Sequence, residues 1–222
     1  MTDSENAADQ TGSQANAKAD AQPNAKADSS AYQEPKLAPL LGRDIAIALA
    51  ALSIWAAADA WYVVSGLGMA ATLAFLNAIV VGYVVAAIAH EWGHYAGARA
   101  SGAKTTRFSP PTATNLFRFK FHFNANDQRQ FHWMSLGGWV FHWSLFILLV
   151  IGLPFDTVGR QALVAAVFGF AVFATFIETG ILRKTFGGAD PAETLQQLGS
   201  ADFKSARFAG IAGGLIAFAS IA

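Results

Sequence analysis

Cysteine is absent from the 222-residue chain, and charged residues are scarce, at 14% of the sequence. Without cysteine the protein can form no disulfide, no thiolate metal site and no cysteine nucleophile. The formal net charge is zero, so the charge balance gives no indication of a nucleic-acid partner. Hydrophobic residues make up 54% of the chain. This is more than a soluble domain of this size needs, and it indicates a multi-span membrane protein in contact with the lipid bilayer.

The first 43 residues have few large apolar side chains and are rich in Ala, Asp, Asn, Gln, Ser and Lys. The pentapeptide Asn-Ala-Lys-Ala-Asp occurs twice, beginning at Asn16 and at Asn24. Such a segment cannot bury enough surface to offset its chain entropy, so residues 1–43 are predicted to be a disordered tail. It lacks the basic start and short apolar core of a signal peptide. Residues 44–222 are expected to form one transmembrane domain.

Five apolar segments follow the tail. Each is expected to form a transmembrane helix, because in a bilayer the backbone polar groups must be satisfied within the segment. The last one is shorter than the roughly 20 residues that a span needs, so a tilted, partial or interfacial placement stays open. The fold class is therefore an all-α polytopic membrane protein with about five transmembrane helices. The segments cover residues 45–64, 69–98, 136–153, 161–182 and 208–222.

The basic residues are distributed unevenly between these segments. Ten of them lie between the second and third segments or between the fourth and fifth, whereas Arg160 is the basic residue of the opposite side. The positive-inside rule then places both basic loops and the N-terminus in the cytoplasm, as for a multi-pass protein of a bacterial inner membrane. Asp59 is the one charge in the first segment; it either pairs with a neighbouring helix or lines a water path. The ten are Arg99, Lys104, Arg107, Arg118, Lys120, Arg129, Arg183, Lys184, Lys204 and Arg207.

The loop between the second and third segments contains a pattern of period two. Phenylalanines alternate with polar residues from Phe117 to Phe123, which is typical of a β-strand with one apolar face. A small strand or hairpin is therefore expected on the cytoplasmic side. Two readings stay open: an aromatic strand that lies on the lipid headgroups, and an edge strand that pairs with an extended substrate.

The strongest functional signal is His90-Glu91-Trp92-Gly93-His94, an H-E-x-x-H motif that ends an uncharged run from residue 69 to residue 89. Residues four apart share one face of a helix, so His90 and His94 can bind one metal ion, with Glu91 beside them as a general base. Ionisable groups within a span are costly, so their clustering requires a reason. Metal binding is the favoured reason, and a structural His–Glu hydrogen-bond cluster is the alternative. The motif is one to two turns before Arg99, which predicts a zinc site near the cytoplasmic face.

A catalytic zinc usually has three protein ligands and one open position. Glu178 is the favoured third ligand, because its distance from the basic end of its segment matches that of the motif. Asp190 is the competitor, although it follows the basic pair Arg183-Lys184 and is expected in the loop. His122 and His132 have no partner at helical spacing and are interpreted as interfacial residues.

These features resemble the site-2 protease family of intramembrane zinc metalloproteases over residues 69–198. The resemblance is strongest at the zinc motif. It implies a three-span core in which an acidic residue of the last core span completes the metal site. Where that family has Gly-Pro-x-x-Asn, this sequence has Gly138-Trp139-Val140-Phe141-His142, and in place of its Asp-Gly pair it has Glu178-Thr179-Gly180. His142 thus corresponds to the family's asparagine, and by that correspondence it is the candidate donor to the oxyanion. The alternative is a histidine that bonds to a neighbouring helix.

The sequence therefore predicts a zinc metalloendopeptidase that hydrolyses membrane-spanning protein substrates within or near the bilayer, without PDZ or CBS modules. Two alternatives stay open. One is a different membrane zinc protease, such as a prenyl-protein peptidase, although the second Glu-rich motif of that class is not seen. The other is an inactive homologue that binds membrane helices as a chaperone or adaptor.

Overall fold

The computed structural model describes residues 36–107 and 119–222, and within them six α-helices and two short strands. Its elements, in chain order, are α1 Leu37–Ser65, α2 Gly68–Ala100, β1 Thr105–Arg107, β2 Phe119–Phe121, α3 Gln128–Gly152, α4 Val158–Phe186, α5 Pro191–Gln196 and α6 Ser200–Ile221, with a single 3₁₀ turn at Phe123–Ala125. Of the predicted tail 1–43, residues 1–35 lie outside the described residues. α1 begins at Leu37, within the range assigned to the tail.

Four helices, α1 to α4, are long and apolar enough to cross a membrane. The all-α membrane fold is therefore supported, but the predicted number of about five spans is wrong for the described residues, which contain four. The segment at 208–222 is the end of α6, which is not among the candidate spans. The physical reason lies in its first two turns, where Asp202, Lys204 and Arg207 reduce the apolar length below that of a span.

α2 is the centre of the bundle and packs against α1, α3 and α4. Small residues repeat every four positions along its first half, so that the backbone of α4 can approach closely. A Cβ on Gly82 would lie 2.8 Å from Cβ of Ala166 and 3.1 Å from the carbonyl oxygen of Leu163. α6 packs against α4 through a similar glycine contact, Gly210 against Gly169. The small residues of α2 are Ala70, Ala74, Ala78, Gly82 and Ala86.

The predicted strand is present in part. β2 pairs antiparallel with β1, with Lys120 opposite Thr106. Phe121 is buried and its ring lies 6.1 Å from that of Phe131 at the start of α3. The apolar face of this strand is thus covered by the helix ends. Phe117 and the rest of residues 108–118 lie outside the described residues.

Asp59 is buried in α1 and pairs with α4, which settles the choice left open by the sequence. Its carboxylate accepts hydrogen bonds from Thr157 Oγ1 at 2.5 Å and from Arg160 Nε at 2.9 Å. Thr157 is also the N-cap of α4. The pair therefore fixes against α1 the N-terminal end of α4, which is the end far from Glu178.

Asp59→Asn should lower the free energy of unfolding by about 1–3 kcal/mol, since it removes the charge from a buried hydrogen-bonded pair. Denaturant titration in detergent micelles measures this loss. Asp156→Asn is the matched control: Asp156 binds the same arginine at 2.6 Å, but its side chain is 64% exposed. An exposed pair contributes little. Equal losses of unfolding free energy for the two variants would contradict the conclusion that the buried pair of Asp59 stabilises the fold.

Candidate metal centre

His90 and His94 lie one helical turn apart on α2 and present their Nε2 atoms to the same point. The two Nε2 atoms are 3.1 Å apart and the ring centroids 4.4 Å apart. Two imidazoles on successive turns converge in this way because a helix places residues i and i+4 on one face. The arrangement predicted from the spacing of the motif is therefore present.

Glu178 of α4 completes the group. Its Oε1 lies 2.9 Å from Nε2 of His94 and 3.5 Å from Nε2 of His90. The residue is 6% exposed. Apart from these two nitrogens, no hydrogen-bond partner within residues 36–107 and 119–222 reaches its carboxylate oxygens. A buried carboxylate without other partners is costly unless it is paired or coordinates a metal.

The three atoms fit a metal ion. Their separations of 2.9, 3.1 and 3.5 Å form a nearly equilateral triangle. Zinc bonds of about 2.0–2.1 Å at tetrahedral angles place neighbouring ligand atoms about 3.3 Å apart. Two imidazoles with one carboxylate are also the donor set of many catalytic zinc sites. His90, His94 and Glu178 could therefore hold a metal ion.

The opposite ring nitrogens of the two histidines contact α3. Nδ1 of His94 lies 2.9 Å from the carbonyl oxygen of Met134, and Nδ1 of His90 lies 3.0 Å from Nδ1 of His142. A carbonyl oxygen can only accept, so His94 carries a proton on Nδ1 and its Nε2 lone pair is left for a metal. The structure thus orients His94 through a backbone atom.

Glycines allow α3 to approach the motif this closely. A Cβ on Gly93 or on Gly97 would clash with the carbonyl oxygens of Gly137 and Trp133, respectively. Gly138 lies directly under the His94 ring, where a Cβ would be 2.5–2.8 Å from three ring atoms. Gly93 therefore lets the backbone of α3 pass beside the two histidines.

Gly138→Ala should therefore displace the His94 ring and lower the affinity for zinc by about 10–100-fold, as disturbance of the surroundings of a ligand usually does. Chelator competition on the purified protein measures the change. Gly152→Ala is the control, because it lies on the same helix with nothing within 4 Å of the added Cβ. Equal affinities for the two variants would show that the ring has room to move.

The other predicted residues occupy distinct places. Asp190 is the N-cap of α5, where its Oδ1 accepts from the backbone N–H of Glu193 at 2.9 Å. Glu91 is half-buried beside the two histidines. His132 Nε2 contacts Thr185 Oγ1 at 3.0 Å and His122 Nε2 contacts Thr106 Oγ1 at 2.5 Å. None of these four residues belongs to the group of three that could bind a metal.

One contact of the motif had no clear sequence signal. Trp92 Nε1 donates to Asp44 Oδ2 at 2.9 Å, and Asp44 is buried, with 2% of its surface exposed. The only hint was an acidic residue at the start of an otherwise apolar segment. This bond fixes α1 against the helix that carries the histidines.

Comparison with known proteins adds no assignment: no family model, no curated protein and no solved structure matches the chain. Functional conclusions therefore depend on the residues themselves.

Proposed function

We propose that the protein is a zinc endopeptidase that cleaves membrane-spanning substrates within or near the bilayer, a divergent relative of the site-2 proteases. The observation that carries the proposal is the triangle of His90 Nε2, His94 Nε2 and Glu178 Oε1 inside a bundle of four candidate spans. The general base expected of such an enzyme, Glu91, adjoins His90 in the chain.

Each residue of the centre has a separate role in the proposed hydrolysis. His90, His94 and Glu178 would hold the zinc, which would supply a Lewis acid for the scissile carbonyl and lower the pKa of a water molecule. Glu91 accepts the proton of the attacking water on a carboxylate oxygen and delivers it to the leaving amine nitrogen. The apolar helices around the centre exclude bulk water, which strengthens each of these electrostatic interactions.

An apolar cavity of about 410 Å³ supports the proposal that the substrate enters from the membrane. It lies between α2, α4 and α6. Phe170 lines this cavity, and its ring is 5.3 Å from that of Tyr83 and 5.6 Å from that of His90. Hydrolysis of a backbone amide requires that the substrate segment at the centre be unwound. β2 is a further candidate to hold the unwound segment by strand addition.

The orientation of the protein in the membrane is part of the same proposal. The end of α2 that carries the motif is followed by Arg99 and Lys104, and the end of α4 near Glu178 by Arg183 and Lys184. The positive-inside rule assigns these ends to the cytoplasm. The centre would then be near the cytoplasmic face of a bacterial inner membrane.

The experiment is reconstitution of the full chain into vesicles with a single-span reporter of alternating leucine and alanine that carries a central Gly-Pro pair. We expect cleavage that stops after treatment with a zinc chelator, returns after addition of zinc, and is absent in His94→Ala. Zinc bound at one equivalent without any cleavage would instead favour an inactive adaptor. Cleavage that persists in His94→Ala would overturn the proposal.

A further inference from the structure

His142 is a fully buried residue of α3 that contacts a candidate ligand rather than the centre itself. None of its surface is exposed, and its Nδ1 lies 3.0 Å from Nδ1 of His90. At this separation one nitrogen must carry a proton and the other a lone pair. The direction of this hydrogen bond therefore determines the tautomers of both rings.

Metal binding decides the direction. His90 needs a lone pair on Nε2, so its proton is on Nδ1 and it donates to His142. His142 then carries its own proton on Nε2, which lies 3.4 Å from Thr175 Oγ1. The same hydroxyl oxygen accepts from Trp143 Nε1 at 3.0 Å. Both ring nitrogens of His142 are engaged in this chain of contacts.

We propose that His142 is a positioning residue that fixes the ring orientation and tautomer of His90, and that Thr175 and Trp143 hold His142 in turn. The inference rests on the metal centre of the proposed function and not on its peptidase activity. α3 thus orients both histidine ligands, with a backbone carbonyl for His94 and an imidazole for His90.

The contacts of His142 end at Thr175, which lies on α4, the helix that also carries Glu178. Thr175 is three residues before Glu178, so the two side chains lie on the same face of α4. The contacts therefore join the ligand of α2 to the helix turn that presents the carboxylate. A shift of α4 relative to α2 would disturb Glu178 and the support of His90 together.

This geometry favours a different role from the one implied by the family resemblance. A donor to the oxyanion must direct an N–H at the substrate, whereas the N–H of His142 in this tautomer points to Thr175. The two roles predict different results. A positioning residue affects how tightly the metal binds, and an oxyanion donor affects cleavage alone.

The test is the zinc affinity of the purified full chain in detergent, measured by competition with a chromophoric chelator. His142→Leu should lower the affinity by about 10–100-fold, the usual effect of removing a partner of a ligand. His142→Asn keeps an acceptor oxygen and should restore most of the loss. Thr175→Val should give a smaller loss in the same direction.

His132→Leu is the matched control. His132 is a histidine of the same helix that also contacts a threonine hydroxyl of α4, Thr185 Oγ1 at 3.0 Å, and it is not part of the chain of contacts to His90. Zinc affinity should be unchanged in this variant. The visible spectrum of the cobalt-loaded protein is a second readout, which should change in His142→Leu and not in His132→Leu.

Wild-type affinity and an unaltered cobalt spectrum in folded His142→Leu would overturn the inference. They would mean that His142 is not the group that orients the His90 ring. If those values come with loss of cleavage, His142 is the oxyanion donor. Should His142→Leu fail to fold, wild-type affinity in Thr175→Val, or no retention of affinity in His142→Asn, overturns it. Absence of zinc from the wild type would instead overturn the metal centre itself.

Discussion

Glu178→Ala should lose zinc almost completely, with an affinity at least about 100-fold below that of the wild type. Removal of a partner of a ligand already costs about 10–100-fold, and this change removes one of three ligands outright. The remaining histidines would still face each other at 3.1 Å, but they would bind a metal as an incomplete pair. Metal content after dialysis against a weak chelator measures the loss.

Asp190→Ala is the control for this prediction, because Asp190 was the other acidic residue considered for the third position. It caps α5 and should retain one equivalent of zinc, with at most a small loss of stability from the missing N-cap. Retention of zinc by Glu178→Ala together with its loss from Asp190→Ala would reverse the assignment.

Glu91→Gln should keep zinc and lose cleavage by about 10²–10⁴-fold, the usual contribution of a general base. Glutamine has nearly the same shape as glutamate but cannot accept the proton of the attacking water. The side chain is not one of the three that could hold a metal ion, so zinc binding should be unaffected. Initial rates on the single-span reporter, with zinc content determined in parallel, separate the two effects.

Glu193→Gln serves as the matched control for Glu91→Gln, since Glu193 is an exposed glutamate of α5 that lies outside the centre. It should cleave at the wild-type rate. If Glu91→Gln cleaved at that rate too, another group would have to accept the proton.

Much of the centre could be predicted because its determinants are local. The spacing of His90 and His94 fixes their common face within one turn of helix. Glu178 could be placed by counting residues to the nearest basic pair, because the bilayer gives antiparallel helices a common scale of depth. Both arguments use distances along one helix axis and require no knowledge of how the helices are rotated.

The surroundings of the centre could not be predicted, because they depend on that rotation. His142 reaches His90, and Gly138 lies under His94, only when α3 presents one particular face to α2 at close approach. The chain from His142 to Thr175 also joins residues 33 apart in sequence. The family resemblance pointed to His142 as a residue of interest, but the structure gives it another contact.

The fold likewise has features that the sequence predicts and features that it does not. The length of the apolar segments predicted the four candidate spans. Whether α6 could also be a span depended on three charged residues at its start. The pattern of alternating phenylalanines located β2, but its partner β1 is short and has no apolar alternation of its own.

The position of the cleaved bond tests the central claim most directly. Wild-type protein and the single-span reporter are reconstituted together, and the masses of the fragments identify the scissile bond. We predict zinc-dependent fragments whose new termini lie within the apolar span or within a few residues of its end. Fragments cut only in the soluble flanks, or an intact reporter in the presence of protein with one equivalent of zinc, would contradict the account.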